Sequence, residues 1–403
     1  MSLPRILFVG PALRYMNPTG ELLVEMLSEC GETTCFGPGF VSSDDLVGGL
    51  ARFVDQHGPF DVAVTTELQA LTVSLKSDME HLYGRIKRLY NFDFPVEQLK
   101  HLLEISTAFR KLEMPKFLSL LQDDLYGWTE RYADLASETA NFFLGNGPEN
   151  AIRTAEMQYR EDEPWTLRAS DVFVNFMESN ISRFASFPLF VSGAEIYRGS
   201  HANRPNTWAV PGVQYRARRV AAMHLRSAGY SFRSISPSRW IHRVSETIGF
   251  MPSLGLLLGN RLFRRELERS RAVYTCGSVL QQPIRKFFEI PASGALLVSE
   301  PCRGLADYGF VDGVNCRLCS PEDVLEVDRD IRTSPDAIEK IARRGQDVVL
   351  HSHTLSARAR QFQAVLQAVK NDFFGGARWS DGSYVISGAP AEAAGAARDA
   401  HQG

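Results

Sequence analysis

The sequence predicts an α/β protein built as two doubly wound halves in series. Three observations carry that reading. The first third alternates short apolar runs with helix-spaced segments that stop at glycine. A second alternation of the same kind begins near residue 187. The chain, at 403 residues, also exceeds what one hydrophobic core usually holds.

In the first half, "RILFVGP" (5–11) is an apolar run closed by a Gly-Pro turn, and "TGELLVEMLSECG" (19–31) has helical spacing with a glycine stop. "TTCFGPG" is a second short strand. "SSDDLVGGLARFVDQHG" opens on Ser and Asp capping residues and ends at Gly58, and "FDVAVTT" (60–66) follows as a third strand. Strand, helix, strand, helix, strand is the first half of a doubly wound sheet. No G-x-G-x-x-G follows the first strand, which argues against a dinucleotide site. Residues 74–112 carry mixed charge at helical spacing and read as an inserted helical pair. "PKFLSLLQDDLYGW" (115–128) reads as a strand ending in Asp123 and Asp124, with Tyr126 just beyond. "ANFFLGNG" (140–147) and "SDVFVNFM" (170–177) read as the next strands, which ends the first domain near residue 183.

The second half starts with "FPLFVSG" (187–193) as a strand, then a Gly, Pro, Asn and Ser-rich loop to about 212, long enough to be functional. "YRARRVAAMHLRSAG" (215–229) is an amphipathic helix whose first turns hold Arg216, Arg218 and Arg219. Cations there oppose the helix dipole, so the cluster is either a solvated basic face or an anion site, where a phosphate would meet both free N–H groups and guanidinium forks. "AVYTCGS" (272–278) is a buried strand. In "RKFFEIPASGALLV" (285–298) a short helix breaks at Pro291 and Gly294 and hands over to a buried strand. Its one carboxylate in the apolar run, Glu289, is either an ordinary solvent-facing residue or a ligand group near the carboxyl edge of the sheet. "NCRLCSPEDVLEV" gives strand, cap and helix; helices at 334–346 and 354–372 close the domain, and 375–403 reads as a mostly disordered tail.

Composition narrows the classes. Hydrophobic content of 44% and charged content of 23% are those of a globular chain, and a net charge of −3 gives no electrostatic case for nucleic acid. No apolar run approaches twenty residues and no signal-peptide pattern opens the chain, so the expectation is a cytoplasmic protein without a transmembrane segment, with membrane association only through an acceptor. Six cysteines fit reduced thiols, and Cys316 with Cys319 forms a lone C-x-x-C read as structural in preference to a metal site. His351 and His353 in "LHSHT" are placed near the domain junction, in a structural or a catalytic role.

Two such halves, the second with a helix-borne Glu before a Pro/Gly break, resemble the CgeB-like (spore-maturation-type) glycosyltransferases of GT-B architecture, related to the large retaining family four. The likeness is closest over 271–364, in "RKFFEIPASGALLVSE", "GLADYGFVDGVNCRLCSPEDV" and "IEKIARRGQDVVLHSHTLSARARQF" taken in order. It implies two Rossmann-like domains facing a cleft and transfer of a sugar from a nucleotide-sugar donor, such as a UDP- or GDP-sugar, to a glycan, lipid-linked or protein hydroxyl. It implies no cofactor beyond the donor, and no obligatory metal in the absence of a DxD-type loop. Glu289 would accept from the ribose hydroxyls, with Pro291, Ser293 and Gly294 shaping the loop beneath. Related enzymes carry a second Glu eight residues earlier, where this chain has Gln281. Their Arg-x4-Lys clamp is missing; Tyr215, Arg216, Arg219 and Arg261 are the candidates around the diphosphate, with Arg264 and Arg265 behind them and Gly193 in the adjoining loop. Asp123 or Asp124 is the candidate base, against a plain acidic cap, and Gly10, Pro11 and Tyr126 line the acceptor cleft. Gln281 also leaves open an inactive GT-B-shaped protein that binds a nucleotide-sugar or a partner. An epimerase or phosphorylase on the same architecture is a further rival, and no lysine suits a pyridoxal cofactor near the second-domain motifs.

Overall fold

The computed structural model describes residues 3–15, 17–120, 128–156, 170–199, 204–232, 252–278 and 281–388. Two parallel sheets organise it, in agreement with the α/β expectation. In the first, β1 (Arg5–Val9), β2 (Glu32–Phe36), β3 (Val62–Thr66), β4 (Lys116–Leu120), β5 (Phe142–Gly145) and β6 (Phe184–Ser186) lie in the order 2-1-3-4-5-6. Buried on both faces, a parallel strand has to be apolar throughout, and the last four residues of β1 are all buried.

Helix α1 (Thr19–Cys30) turns Leu22, Leu23, Met26, Leu27 and Cys30 inward, the 3.6-residue stripe that covers a sheet. Helix α2 (Ser43–His57) starts where the Ser42 side chain accepts from the Asp45 N–H. The predicted helical insertion is present as α3 (Met79–Leu89), capped by Asp78, and α4 (Leu102–Arg110). Helix α5 (Glu130–Thr139) precedes β5.

The run "SDVFVNFM" is not a strand. It forms helix α6 (Val172–Ser179), with Phe173, Val174, Phe176 and Met177 buried. Those positions follow helical, not alternating, spacing, and the β-branched and aromatic content masked it. The strand of this region is β6, and "FPLFVSG" is a largely buried linker: the Phe187 N–H donates to the Gly145 carbonyl, Val191 bridges to Thr354, and the Phe190 carbonyl accepts from Arg285.

The second sheet holds β7 (Asn206–Ala209), β8 (Ser270–Thr275), β9 (Leu296–Ser299) and β10 (Arg317–Leu318), all parallel in sequential order. β7 lies inside the segment expected to be a loop. Helices α7 (Arg216–Ser227), α8 (Pro252–Arg269), α9 (Lys286–Ala292), α10 (Val324–Thr333), α11 (Pro335–Ser352) and α12 (Leu355–Lys370) complete this half.

The expected disordered tail is partly ordered, and it returns to the first domain. β11 (Ala377–Ser380) pairs in parallel with β6, and β12 (Ser383–Ile386) closes the edge antiparallel to it. Trp379, 2% exposed, anchors this hairpin. Helix α12 also crosses back onto α1: the Cys30 thiol donates to the Ala359 carbonyl and the Gln363 amide to the Cys30 carbonyl. A sequence boundary near 374 therefore does not separate two independent units.

His353 sits in this junction with no exposed surface, among Phe288, Phe310 and Trp379. Its Nε2 lies 2.8 Å from the Tyr308 carbonyl and its Nδ1 3.0 Å from an Arg358 guanidinium nitrogen. Burial, then the Arg358 charge, holds its pKa well below the usual histidine value. The role is structural; His351 is exposed on α11. All six cysteines are free, and burial pushes Cys316 and Cys319 up to about 12. Among the described residues no helix is long and apolar enough to cross a membrane.

Candidate active site

In a parallel α/β sheet, helices run against the strands, so a helix N-terminus lies at the carboxyl edge, where ligands bind. Beyond the carboxyl ends of β7 and β8, the turn from Val210 to Tyr215 leads into α7, and the described residues 276–278 and 281–285 precede α9.

Of the three early arginines of α7, the one turned inward is Arg218. Ala217, Ala221, Ala222 and Leu225 set the buried face of the helix, and Arg218 falls within it at 1% exposure. Its guanidinium donates to the Val213 carbonyl (2.8 Å) and the Thr275 hydroxyl (3.0 Å), and lies over the Tyr215 ring. Arg219 is exposed and donates to the Gln214 carbonyl, while Arg216 reaches Glu322 at 3.5 Å on the surface. Arg261, Arg264 and Arg265 are exposed on α8, and Arg264 pairs with Glu268. The phase of α7 thus turns Arg218 toward the sheet edge, whereas Arg216, Arg219 and Arg261, first in the expected order, have their side chains at the surface.

Lys286 was not among the candidates. It is the first residue of α9, with its ammonium 5.3 Å from the Phe263 ring centre. A Cβ on Gly212 would stand 3.1 Å from Arg218 Nη1 and 3.3 Å from Lys286 Nζ, so the two cations border one small space. Gly212 takes φ +99, a conformation natural to glycine, and any side chain there would fill that space. Among the described residues neither cation forms an ion pair. Burial first, then the charge of Arg218, lowers the Lys286 pKa, with Glu289 opposing. Two like charges held together without an anion are an unfavourable arrangement that a phosphate would relieve.

Glu289 lies one turn further along α9, at 9% exposure. Its carboxylate is ion-paired with Arg285, which in turn holds Glu195 at 2.6 Å. Glu195 closes a capping box with Ser192, so this buried chain ties α9 to the turn containing Gly193. The structure thus brings Gly193, Glu289 and the cation pair into one region, with Tyr215 against Arg218. Gln281 sits in the loop after β8 with φ +53, and Ser278 in the same loop has φ +59. Left-handed backbone at two non-glycine residues is strain of the kind that collects at functional loops.

Pro291, Ser293 and Gly294 are elsewhere. Pro291 is buried inside α9, and the Ser293 carbonyl accepts from Arg204, which also binds the Ser270 carbonyl at the start of β8. That is the amino edge of the sheet. Because α9 runs against the strands, its far end cannot lie beneath a ligand at the carboxyl edge; Gly294 serves the turn into β9 at φ +73. Asp123, Asp124 and Tyr126 lie outside the described residues.

In the first domain, Gly10 ends β1 with its N–H donating to the Phe36 carbonyl, and Pro11 enters the wall of a pocket of about 630 Å³. This pocket opens at the carboxyl ends of β1 and β3, between α1 and the inserted α3.

Comparison with known proteins bears on part of the chain. None of the curated proteins matches the chain. Among solved structures it is similar to the HepE protein of Anabaena in complex with UDP and glucose, at 12% identity and TM-score 0.46, over 91% of this chain and all of that one. It is similar to a sucrose-phosphate synthase from Thermosynechococcus elongatus, at 10% identity and TM-score 0.47, over 92% of this chain and 100% of that one. A UDP-forming alpha, alpha-trehalose-phosphate synthase from Burkholderia xenovorans is similar at 13% identity and TM-score 0.46, over 92% of this chain and 100% of that one. Residues 218–364, which include Arg218, Gln281, Lys286 and Glu289, match the model of a family described as "Glycosyl transferase-like".

Proposed function

We propose that the protein is a glycosyltransferase that moves a sugar, of hexosyl type, from a nucleoside-diphosphate donor to an acceptor hydroxyl. The observation that carries this reading is the Arg218–Lys286 pair: a buried and a half-buried cation, without an ion-pair partner among the described residues, at a sheet carboxyl edge, inside the segment that matches the glycosyl transferase-like family.

Chemically, the bond from the anomeric carbon to the diphosphate oxygen breaks, and that oxygen takes the bonding electrons. The new negative charge falls between the Arg218 guanidinium and the Lys286 ammonium. Fixed cations that need no reorganisation at that moment lower the barrier. Meanwhile the acceptor oxygen bonds to the anomeric carbon and gives its proton to a base, the role assigned to Asp123 or Asp124. Glu289 accepts from the ribose hydroxyls, its carboxylate held in place by Arg285. Gln281, on its strained loop, faces the sugar as a neutral hydrogen-bonding group.

The direct test is incubation with a panel of UDP-, GDP-, dTDP-, CMP- and ADP-linked sugars, reading nucleotide release with and without mixed acceptors. Release from one donor, at least tenfold slower in Arg218→Ala, is the expected result. Binding of a nucleotide with no release under any acceptor supports the second reading, which Gln281 favours: a nucleotide-sugar-binding protein without turnover.

A further inference from the structure

The first-domain pocket has a composition of its own, and its chemistry restricts what it can take. One wall is aromatic. Phe8 and Phe40 meet edge to face at 5.8 Å, Tyr15 and Tyr90 lie 5.4 Å apart, and Phe94 stands beside Gly39. Charged residues share the lining. Arg14 is held by Asp93 at 2.8 Å and by Glu21 at 3.6 Å, and Glu25 and Arg85 complete the set. Three carboxylates against two guanidinium groups leave a formal charge of −1, from the residues that line the pocket.

We infer that this pocket is the acceptor subsite and that it selects an uncharged saccharide over a phosphate-bearing or lipid-linked one. The inference rests on the transferase reading for the word acceptor; the binding chemistry stands on the pocket alone. A sugar ring offers an apolar C–H face to an aromatic side chain and hydroxyl donors to carboxylates, and both kinds of partner line this pocket. Of the two cations, Arg14 is engaged twice; Arg85 is exposed and without an ion pair among the described residues, so a phosphate would meet one such cation in a lining that carries three carboxylates. The N-terminus of α1 faces the pocket, yet its dipole already meets Glu21 in the first turn. A polyprenyl chain would need a continuous apolar groove, whereas here charged residues from α1, α3 and the β1 exit ring the opening. Asn17 contributes a buried Oδ1 with no hydrogen-bond partner among the described residues, an acceptor ready for a ligand hydroxyl. At about 630 Å³ the space lies in the range of small-ligand sites.

The experiment is ligand-observed saturation-transfer NMR on the full chain with three probes: a set of uncharged oligosaccharides, glucose 6-phosphate and farnesyl diphosphate. UDP is titrated in parallel. The expected result is binding of an uncharged saccharide, weakened about tenfold or more by Phe94→Ala. Asp93→Asn separates the chemistries: it removes a negative charge and one of two acceptor oxygens, and leaves Arg14 with Glu21 as its remaining ion-pair partner. A saccharide then binds more weakly, while a phosphate would bind more tightly. Asp93 is exposed, so the fold does not depend on it. Saccharide binding that persists in Lys286→Met keeps the two sites distinct. Tighter binding of either phosphate probe, or no saccharide binding while a nucleotide binds, overturns the inference. Saccharide binding without any nucleotide binding upholds the pocket and overturns the transferase reading.

Discussion

Replacing Glu149 with Gln should remove a pH dependence built into the domain junction. Glu149 follows β5 and is packed between both halves: Ser186 of β6 donates to its carboxylate, Asn150 beside it bonds the Tyr308 hydroxyl, and its other oxygen has no partner among the described residues. Burial is the largest cause of a pKa raised to about 7, with the Ser186 bond opposing and the Asp307 charge adding. Facing groups on the other elements are Tyr308 and Asp307 on the second-domain side and Tyr384 on the hairpin, whose hydroxyl is itself affected by Arg358 and Glu149. The unfolded chain releases this proton near 4.5 and the folded chain near 7, so between those values the folded state holds more protons. Stability therefore falls as pH rises through that window and levels above it. A displacement of about 2.5 units corresponds to at most about 3 kcal/mol. Gln preserves an acceptor for Ser186 and has no charge to desolvate. Urea unfolding at pH 5, 6, 7 and 8 should show the wild type losing stability relative to Glu149→Gln, with the variant the more stable at pH 8. A difference that does not change with pH, or a wild type that is the more stable at pH 8, refutes the reasoning.

Other consequences are open to test. His353 behaves in the opposite sense: its folded pKa is depressed, so the neutral ring's contribution is present above about pH 6.5 and is lost as pH falls below it. His353→Gln should flatten the acid limb of the same unfolding series. Trp379→Ala should cost about 3–5 kcal/mol in urea unfolding, because it empties a site 2% exposed in the hairpin that closes the first sheet. A loss below 1 kcal/mol would mean that the hairpin contributes little to the shared core.

Much of the architecture was legible because local signals agreed with the tertiary outcome. The β1 to β3 stretch has buried apolar runs in β1 and β3, stripes at 3.6 spacing and a Ser42 cap, and each forms where its pattern lies. Besides β7 and the 187–193 linker, two features were not legible, for different physical reasons. In Val172–Ser179, Val and Phe favour strands by propensity while their positions fit a helix, and burial decided for the helix. The 377–386 hairpin consists of two four-residue strands whose neighbour, β6, lies about 190 residues earlier, and nothing local announces that pairing.

The site shows the same division. Glu289 stood out as the lone acid of an apolar run, and it does lie buried near the carboxyl edge. Arg218 was passed over although the signal was present: the alanine and leucine phase of α7 marks the inward face, and Arg218 falls on it. Lys286 had no such marker, since a seven-residue helix is too short to show a phase. Ser293 and Gly294 were misplaced by reading a turn as a loop beneath a ligand, without asking at which end of the sheet an antiparallel helix stops.

The central claim is that Arg218 and Lys286 form the diphosphate site of a nucleotide-sugar donor. It is tested most directly by calorimetric binding of UDP, GDP, dTDP, CMP and ADP to the wild type and to Lys286→Met, which keeps the stem and removes the charge. One nucleoside diphosphate should bind, and the variant should bind it more weakly by about 1.5–3 kcal/mol, the scale of a lost hydrogen bond to a charged group. Equal affinity in wild type and variant, or no nucleotide binding at all, would contradict the account.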